Sequence, residues 1–139
     1  MALDLTSLQK AVGSLESSIG VAHSQIKGEV DTAIEQVIRA GVIQNFEFTY
    51  ELCIKFIKRW VEANVSGSNP DSVTFKELLR ISAESQLIRD VDDWLEYREA
   101  RNETSHTYDN DKADDVFNIT LNFAKDARQL LLTLEKKND

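Results

Sequence analysis

Residues 5–26 read Leu5-Thr6-Ser7-Leu8-Gln9-Lys10-Ala11-Val12-Gly13-Ser14-Leu15-Glu16-Ser17-Ser18-Ile19-Gly20-Val21-Ala22-His23-Ser24-Gln25-Ile26. Leu5, Leu8, Val12, Leu15, Ile19, Ala22 and Ile26 recur in steps of three and four, which lines them up along one stripe of an amphipathic helix. The stripe is narrow and coiled-coil-like, so this helix is expected to lie against other helices, and Gly28 is expected to end it. The rest of the chain repeats the theme. A second long helix is expected from about Glu29 to Ala63, carrying Ile34, Val37, Ile38, Phe48, Leu52, Phe56 and Trp60, with Gly41 marking a bend or a close helix contact. The stretch Val65-Ser66-Gly67-Ser68-Asn69-Pro70-Asp71-Ser72 is dense in turn residues and reads as the clearest loop.

Beyond that loop, Ser72 or Thr74 is placed to cap a third helix, Phe75 to about Ser85, with Phe75, Leu78, Leu79 and Ile81 inward. A fourth begins near Val91 and runs into Arg101-Asn102-Glu103-Thr104-Ser105-His106-Thr107-Tyr108. Asp109-Asn110-Asp111 breaks the chain before a fifth, about Lys112 to Lys136, whose apolar face is Val116, Ile119, Phe123, Leu130, Leu131 and Leu134. One proline and five glycines among 139 residues favour long helices over a turn-rich β fold. Neither an internal repeat nor a linker divides the chain, so residues 1–139 are expected to form one all-α bundle of about five helices.

Composition narrows the possible functions. Cys53 is the only cysteine, which excludes an intrachain disulfide and a cysteine-type zinc site; between Leu52 and Ile54 it reads as a small core residue. No basic segment followed by an apolar run opens the sequence and no stretch reaches membrane-spanning length, so a cytoplasmic protein is expected. A net charge of −8 argues against coating DNA or RNA through nonspecific phosphate contacts, while leaving room for a small local basic pocket.

The fourth helix carries the candidate chemistry. With Arg101 as the reference, Val91, Trp94 and Leu95 fall at about 80°, 20° and 120° around the axis and define an expected inward stripe. Arg98, Asn102, Ser105 and His106 continue that stripe, so its character changes from apolar to polar without a change of direction. Burying such groups is costly unless each is paired. In a regular helix Arg101 and His106 point about 140° apart. Either the helix loosens near Thr104-Ser105, or two copies of the chain meet through their fourth helices and pool their arginines and histidines; the second arrangement also explains polar residues on a buried stripe. The plainer alternative is an Arg101–carboxylate pair beside a satisfied core histidine.

Such a cleft suits cleavage of RNA without a metal or other cofactor. His106 is the general base or acid at a ribose 2′-hydroxyl and the leaving oxygen, Arg101 holds the phosphate, and Asn102 and Ser105 orient the backbone or the histidine. The product is then a 2′,3′-cyclic phosphate. Other groups carry weaker signals. Lys55, Lys58 and Arg59 read as a solvated face; Glu47 and Glu51 as helix-surface residues, Glu51 with Lys55 at favourable spacing; and His23 as a surface or packing residue. Phe46, Phe48, Tyr50, Phe56 and Trp60 are expected in core and dimer contacts, with the alternative for Tyr50 that it reaches the cleft.

Arg101-x4-His106-x-Tyr108 resembles the motif of the HEPN superfamily, small helical proteins often encoded beside minimal nucleotidyltransferases. Ile43-Gln44-Asn45-Phe46-Glu47-Phe48-Thr49-Tyr50-Glu51-Leu52 resembles the second-helix signature of its nucleotidyltransferase substrate-binding protein branch, and the likeness covers essentially the whole chain. The resemblance implies a homodimer with an up-and-down helical core and an interface site around Arg101 and His106. It further implies a ribonuclease toxin of a type VII-like toxin–antitoxin pair, silenced when a partner nucleotidyltransferase antitoxin transfers AMP to Tyr108. The alternative it leaves open is a non-catalytic partner that presents a nucleotide or substrate to a separate nucleotidyltransferase. The chain lacks the Gly-Ser and paired aspartates of nucleotidyl transfer, so it is not expected to transfer nucleotides alone.

Overall fold

A computed structural model describes residues 2–26, 32–67 and 69–138. The described residues form α1 (Thr6–Ile26), α2 (Thr32–Asn64), α3 (Phe75–Glu84), α4 (Val91–Glu103) and α5 (Asn110–Lys136), with a single 3-10 turn, Thr104–His106, after α4 and no strand. Gly28 and the expected start of α2 at Glu29 lie outside the described residues.

Side-chain oxygens set most of the helix starts. Asp4 accepts from the Thr6 amide at 3.0 Å, Asp90 from Asp92 at 2.8 Å and Asp109 from Asp111 at 2.9 Å. At α3 it is Thr74, of the two candidates, whose hydroxyl accepts from the Glu77 amide at 3.1 Å. Each cap satisfies an amide that the first helical turn leaves open and contributes about 1 kcal/mol.

The stripe of α1 lies as its spacing predicts: Leu5, Leu8, Val12, Leu15 and Ala22 are buried and Ile19 packs beside them. α1 packs along α2, where the buried Thr49 hydroxyl donates to the Ala11 carbonyl at 3.2 Å. α5 contacts α1, α2 and α4, while α3 rests on α4 and α2. Asn138 closes the bundle by accepting from the Leu3 amide at 2.7 Å and donating to its carbonyl at 2.9 Å.

The inward face of α2 is turned only in part from the expected one: Phe56 is buried, and Ile38, Leu52 and Trp60 pack against the core, as expected. Ile34, Val37 and Phe48 are exposed, and the buried set is Val42, Ile43, Phe46, Tyr50, Cys53, Phe56, Ile57 and Val61. This helix has apolar residues on more than one side, so hydrophobicity alone does not choose its face. The choice is made by an aromatic cluster centred on Phe123 of α5. Its ring centroid lies 5.0 Å from Phe46, 5.2 Å from Tyr97 and 5.8 Å from Trp94, each pair edge to face. Gly41 marks no close helix contact, since a Cβ there would meet nothing within 4 Å. Cys53 is fully buried, and that burial pushes its thiol well above the usual range.

Phe123→Ala removes the shared partner of Phe46, Trp94 and Tyr97. It is expected to cost about 3–5 kcal/mol in a urea titration. A loss below about 1 kcal/mol would show that the cluster does not anchor the bundle.

Candidate functional site

The rotation of α4 decides what its motif residues touch. The buried residues of this helix are Trp94, Tyr97 and Ala100. Tyr97 packs on Phe123 and its hydroxyl donates to Asp126 of α5, which turns that side of α4 towards the core. Burial, and next the bond to Asp126, push the Tyr97 hydroxyl up, so it remains a donor at neutral pH. The expected inward stripe therefore requires correction. Arg98, Asn102, Ser105 and His106 are exposed, and Val91 and Leu95 only half-buried. No burial cost attaches to Asn102, Ser105 or His106, and that part of the sequence argument falls away.

Arg101 is half-buried and turned towards α2. Its Nη2 lies 2.6 Å from Oε1 of Glu51 and 3.3 Å from Oε1 of Glu47, and Nε donates to the same Glu51 oxygen at 3.2 Å. Nη1 donates to the Thr104 hydroxyl at 3.2 Å, and that hydroxyl donates to the Arg101 carbonyl at 2.7 Å. The hydrogen bond to Glu51, followed by the nearby charge of Glu47, raises the Arg101 pKa still further. The plainer alternative thus holds for the arginine, which is paired with carboxylates. It fails for the histidine, which is not in the core. Glu51 serves Arg101 rather than pairing with Lys55.

After Glu103 the regular α-helix ends where a change was expected, but the backbone tightens into the 3-10 turn and does not loosen. The turn is held by the Thr107 hydroxyl on the Thr104 carbonyl at 2.9 Å and by the Asp109 amide on the His106 carbonyl at 3.1 Å. The His106 imidazole has no side-chain hydrogen-bond partner among the described residues. It stands edge-on to Tyr108, with ring centroids 6.3 Å apart. Tyr108 is 85% exposed and borders a cleft of about 630 Å³ beside Arg39 and Thr107.

The sequence reading missed Thr104, which braces Arg101, and the specific roles of Glu47 and Glu51. The carboxylates carried a signal, since they sit four residues apart on the same helical face. Nothing local in the sequence shows that α4 delivers an arginine between them. Among the described residues no cluster of histidine, cysteine and carboxylates has the makings of a metal site, and no helix is long and apolar enough to cross a membrane.

The sequence profile described as "Nucleotidyltransferase substrate binding protein like" matches residues 3–136. A Haemophilus influenzae protein named probable ribonuclease HepT is 35% identical over 138 residues, covering 98% of this chain and 94% of that one. A solved Haemophilus influenzae structure, described as revealing the fold of a substrate binding domain of a nucleotidyltransferase, superposes with a TM-score of 0.88 at 33% identity. That match covers 95% of this chain and 99% of the other. A Thermus thermophilus structure shares the fold with a TM-score of 0.63 at 24% identity, over 86% and 98% of the two chains.

One cation faces two carboxylates here, so an incoming anion must compete with Glu51 for the same Nη2 and Nε donors. Glu51→Gln is expected to strengthen inorganic phosphate binding at Arg101 by about three- to tenfold in an NMR titration, the range open to a partly exposed pair. Unchanged affinity would show that Glu51 does not guard the guanidinium.

Proposed function

The chain belongs to the nucleotidyltransferase substrate binding protein like family, and from that premise we propose that it is a metal-independent endoribonuclease toxin of the HEPN type. The observation that carries this reading is the placement of His106 and Tyr108 together on an exposed turn one helix end from Arg101. The likeness to a protein named probable ribonuclease HepT supports it.

In the proposed reaction the RNA supplies its own nucleophile. His106 takes the proton of a ribose 2′-hydroxyl, whose oxygen forms a bond to the adjacent phosphorus. The 5′-oxygen leaves and takes up a proton, and a 2′,3′-cyclic phosphate remains. Arg101 stabilises the charge gathering on the phosphate oxygens through its planar fork, once Glu51 has been displaced. Asn102 and Ser105, exposed on the same end of α4, are placed to hold the RNA backbone or orient the histidine.

The reading includes a homodimer. Its supporting observation is the exposed surface of Arg98 and Asn102 on α4 and Ser105 and His106 on the 3-10 turn, together with exposed Phe48 on α2, next in sequence to Glu47, which holds Arg101. A second copy against these residues would pool two arginines and two histidines.

Regulation follows from the exposure of Tyr108. A partner nucleotidyltransferase transfers AMP from ATP: the Tyr108 oxygen bonds to the α-phosphorus, pyrophosphate leaves, and the phenolic proton goes to solvent or a base on the partner. A bulky anion on Tyr108 beside His106 then stands where RNA must approach.

The closed state of Arg101 favours one competing reading, a non-catalytic partner that presents a nucleotide or substrate to a separate nucleotidyltransferase. The two readings part in one assay. Protein whose intact mass shows an unmodified Tyr108 is expected to cut a defined RNA in EDTA, leaving cyclic phosphate ends. His106→Ala is expected to lose about a hundredfold or more of that rate. No cutting by the parent, or equal cutting of an RNA lacking 2′-hydroxyls, overturns the ribonuclease reading.

A further inference from the structure

A second cavity adjoins Arg101 and has no part in the chemistry above. It holds about 410 Å³ between α2, the 70–74 segment, the start of α3 and Arg98 of α4. That volume lies within the range of small-molecule sites. Its walls combine an apolar floor of Ile54, Val73, Phe75 and Leu78 with polar groups from Tyr50, Glu51, Lys58, Asp71, Thr74 and Arg98.

Tyr50 lines the cavity with its ring buried, and its hydroxyl, which makes no hydrogen bond among the described residues, is accessible to solvent. A phenol hydroxyl in this position is free to donate to or accept from a ligand in the cavity. The Arg98 guanidinium lies 4.6 Å from the Phe75 ring centroid, which makes a planar cationic lid over an aromatic face. Lys58 stands at the rim, 3.7 Å from Asp71. Glu51 belongs to both places, lining this cavity while it holds Arg101. A group that displaces Glu51 from Arg101 therefore arrives with its neighbouring atoms at the cavity mouth.

These features describe a ligand with a flat, mostly neutral ring, an edge that hydrogen-bonds a phenol, and an attached anion. We propose that the cavity seats the base and ribose of the nucleotide flanking the phosphate held by Arg101 in single-stranded RNA. The proposal rests on the ribonuclease reading for the identity of that phosphate. The base stacks on the outer face of the Arg98 guanidinium, whose other face covers Phe75, as bases stack on guanidinium planes in single-strand recognition. The Tyr50 hydroxyl bonds the base edge and gives the site a preference among bases. Lys58 holds the next phosphate along the strand. An acidic protein thereby binds RNA through one pocket rather than through a basic surface.

The test compares adenosine 5′-monophosphate and uridine 5′-monophosphate with ribose 5-phosphate, titrated into ¹⁵N-labelled protein. At least one nucleotide is expected to bind about tenfold or more tightly than the sugar phosphate, the gain one stacked base supplies. The shifted amides should include residues 50, 58 and 73–78. Val73→Trp, which fills the cavity, should reduce that nucleotide to the level of ribose 5-phosphate. Tyr50→Phe should narrow the difference between the two bases. If Val73→Trp fails to fold by circular dichroism, Arg98→Gln carries the same expectation from the lid. Equal binding of nucleotides and sugar phosphate, or nucleotide binding untouched in every folded variant, overturns the proposal. Cleavage assays separate the two readings. RNA cut by the parent and by Val73→Trp at the same rate and sites removes the pocket and leaves the ribonuclease. Base-dependent binding without cleavage removes the ribonuclease and leaves the pocket.

Discussion

The edge-to-face packing of Phe123 against Phe46, Tyr97 and Trp94 joins α5 to α2 and α4 at one point, and the orientation of α4 follows from it. With Tyr97 bound to Phe123 and, through its hydroxyl, to Asp126, α4 has little freedom to roll about its axis. Arg101 lies four residues on from Tyr97, slightly more than one turn, and so emerges on the side facing α2. There Glu47 and Glu51 present their carboxylates one turn apart on a parallel ridge. The same roll directs Arg98, Asn102 and His106 away from the core. A hydrophobic contact thus determines which motif residues meet a charge and which meet water.

Much of the fold was legible because the helices of this chain obey simple rules. The stripe of α1 is unbroken and one-sided, so its buried residues could be read directly. Thr74, one of the two expected caps, fixed the start of α3, and the fourth and fifth helices begin within two residues of their expected starts, where Asp90 and Asp109 cap them. α2 and α4 were harder for a physical reason. α2 has apolar residues on several sides, and Ile34, Val37 and Phe48 are left outside by a choice made at Phe123. In α4 a single polar-tipped residue, Tyr97, outweighed Leu95 and Val91 as the inward anchor because its ring meets the cluster and its hydroxyl finds Asp126. No periodicity within one helix carries that information.

The candidate site divides along the same line. Its members were legible as types and spacing, because an arginine, a histidine and a tyrosine at these intervals have few structural uses. Their environment was not. The cost of burial, which first singled out the polar stripe, applies to none of Asn102, Ser105 and His106. What remains distinctive is different in kind: an arginine restrained by two carboxylates and a hydroxyl, and beside it an imidazole and a phenol exposed on a tight turn.

That restraint bears on how a chain with a net charge of −8 can handle a phosphate. An unpaired arginine on an acidic surface would collect any small anion, with little discrimination. Glu47 and Glu51 hold the guanidinium in a defined direction and also set a threshold, because an anion must offer more than its charge to replace them. A free phosphate offers only charge. A polynucleotide offers in addition a base, a sugar and neighbouring phosphates, and the cavity that shares Glu51 is the proposed seat of the first of these. The carboxylates turn a general anion site into one that favours an extended ligand. Under the proposed ribonuclease function, the acidic character of the protein is a source of selectivity and is compatible with an RNA substrate.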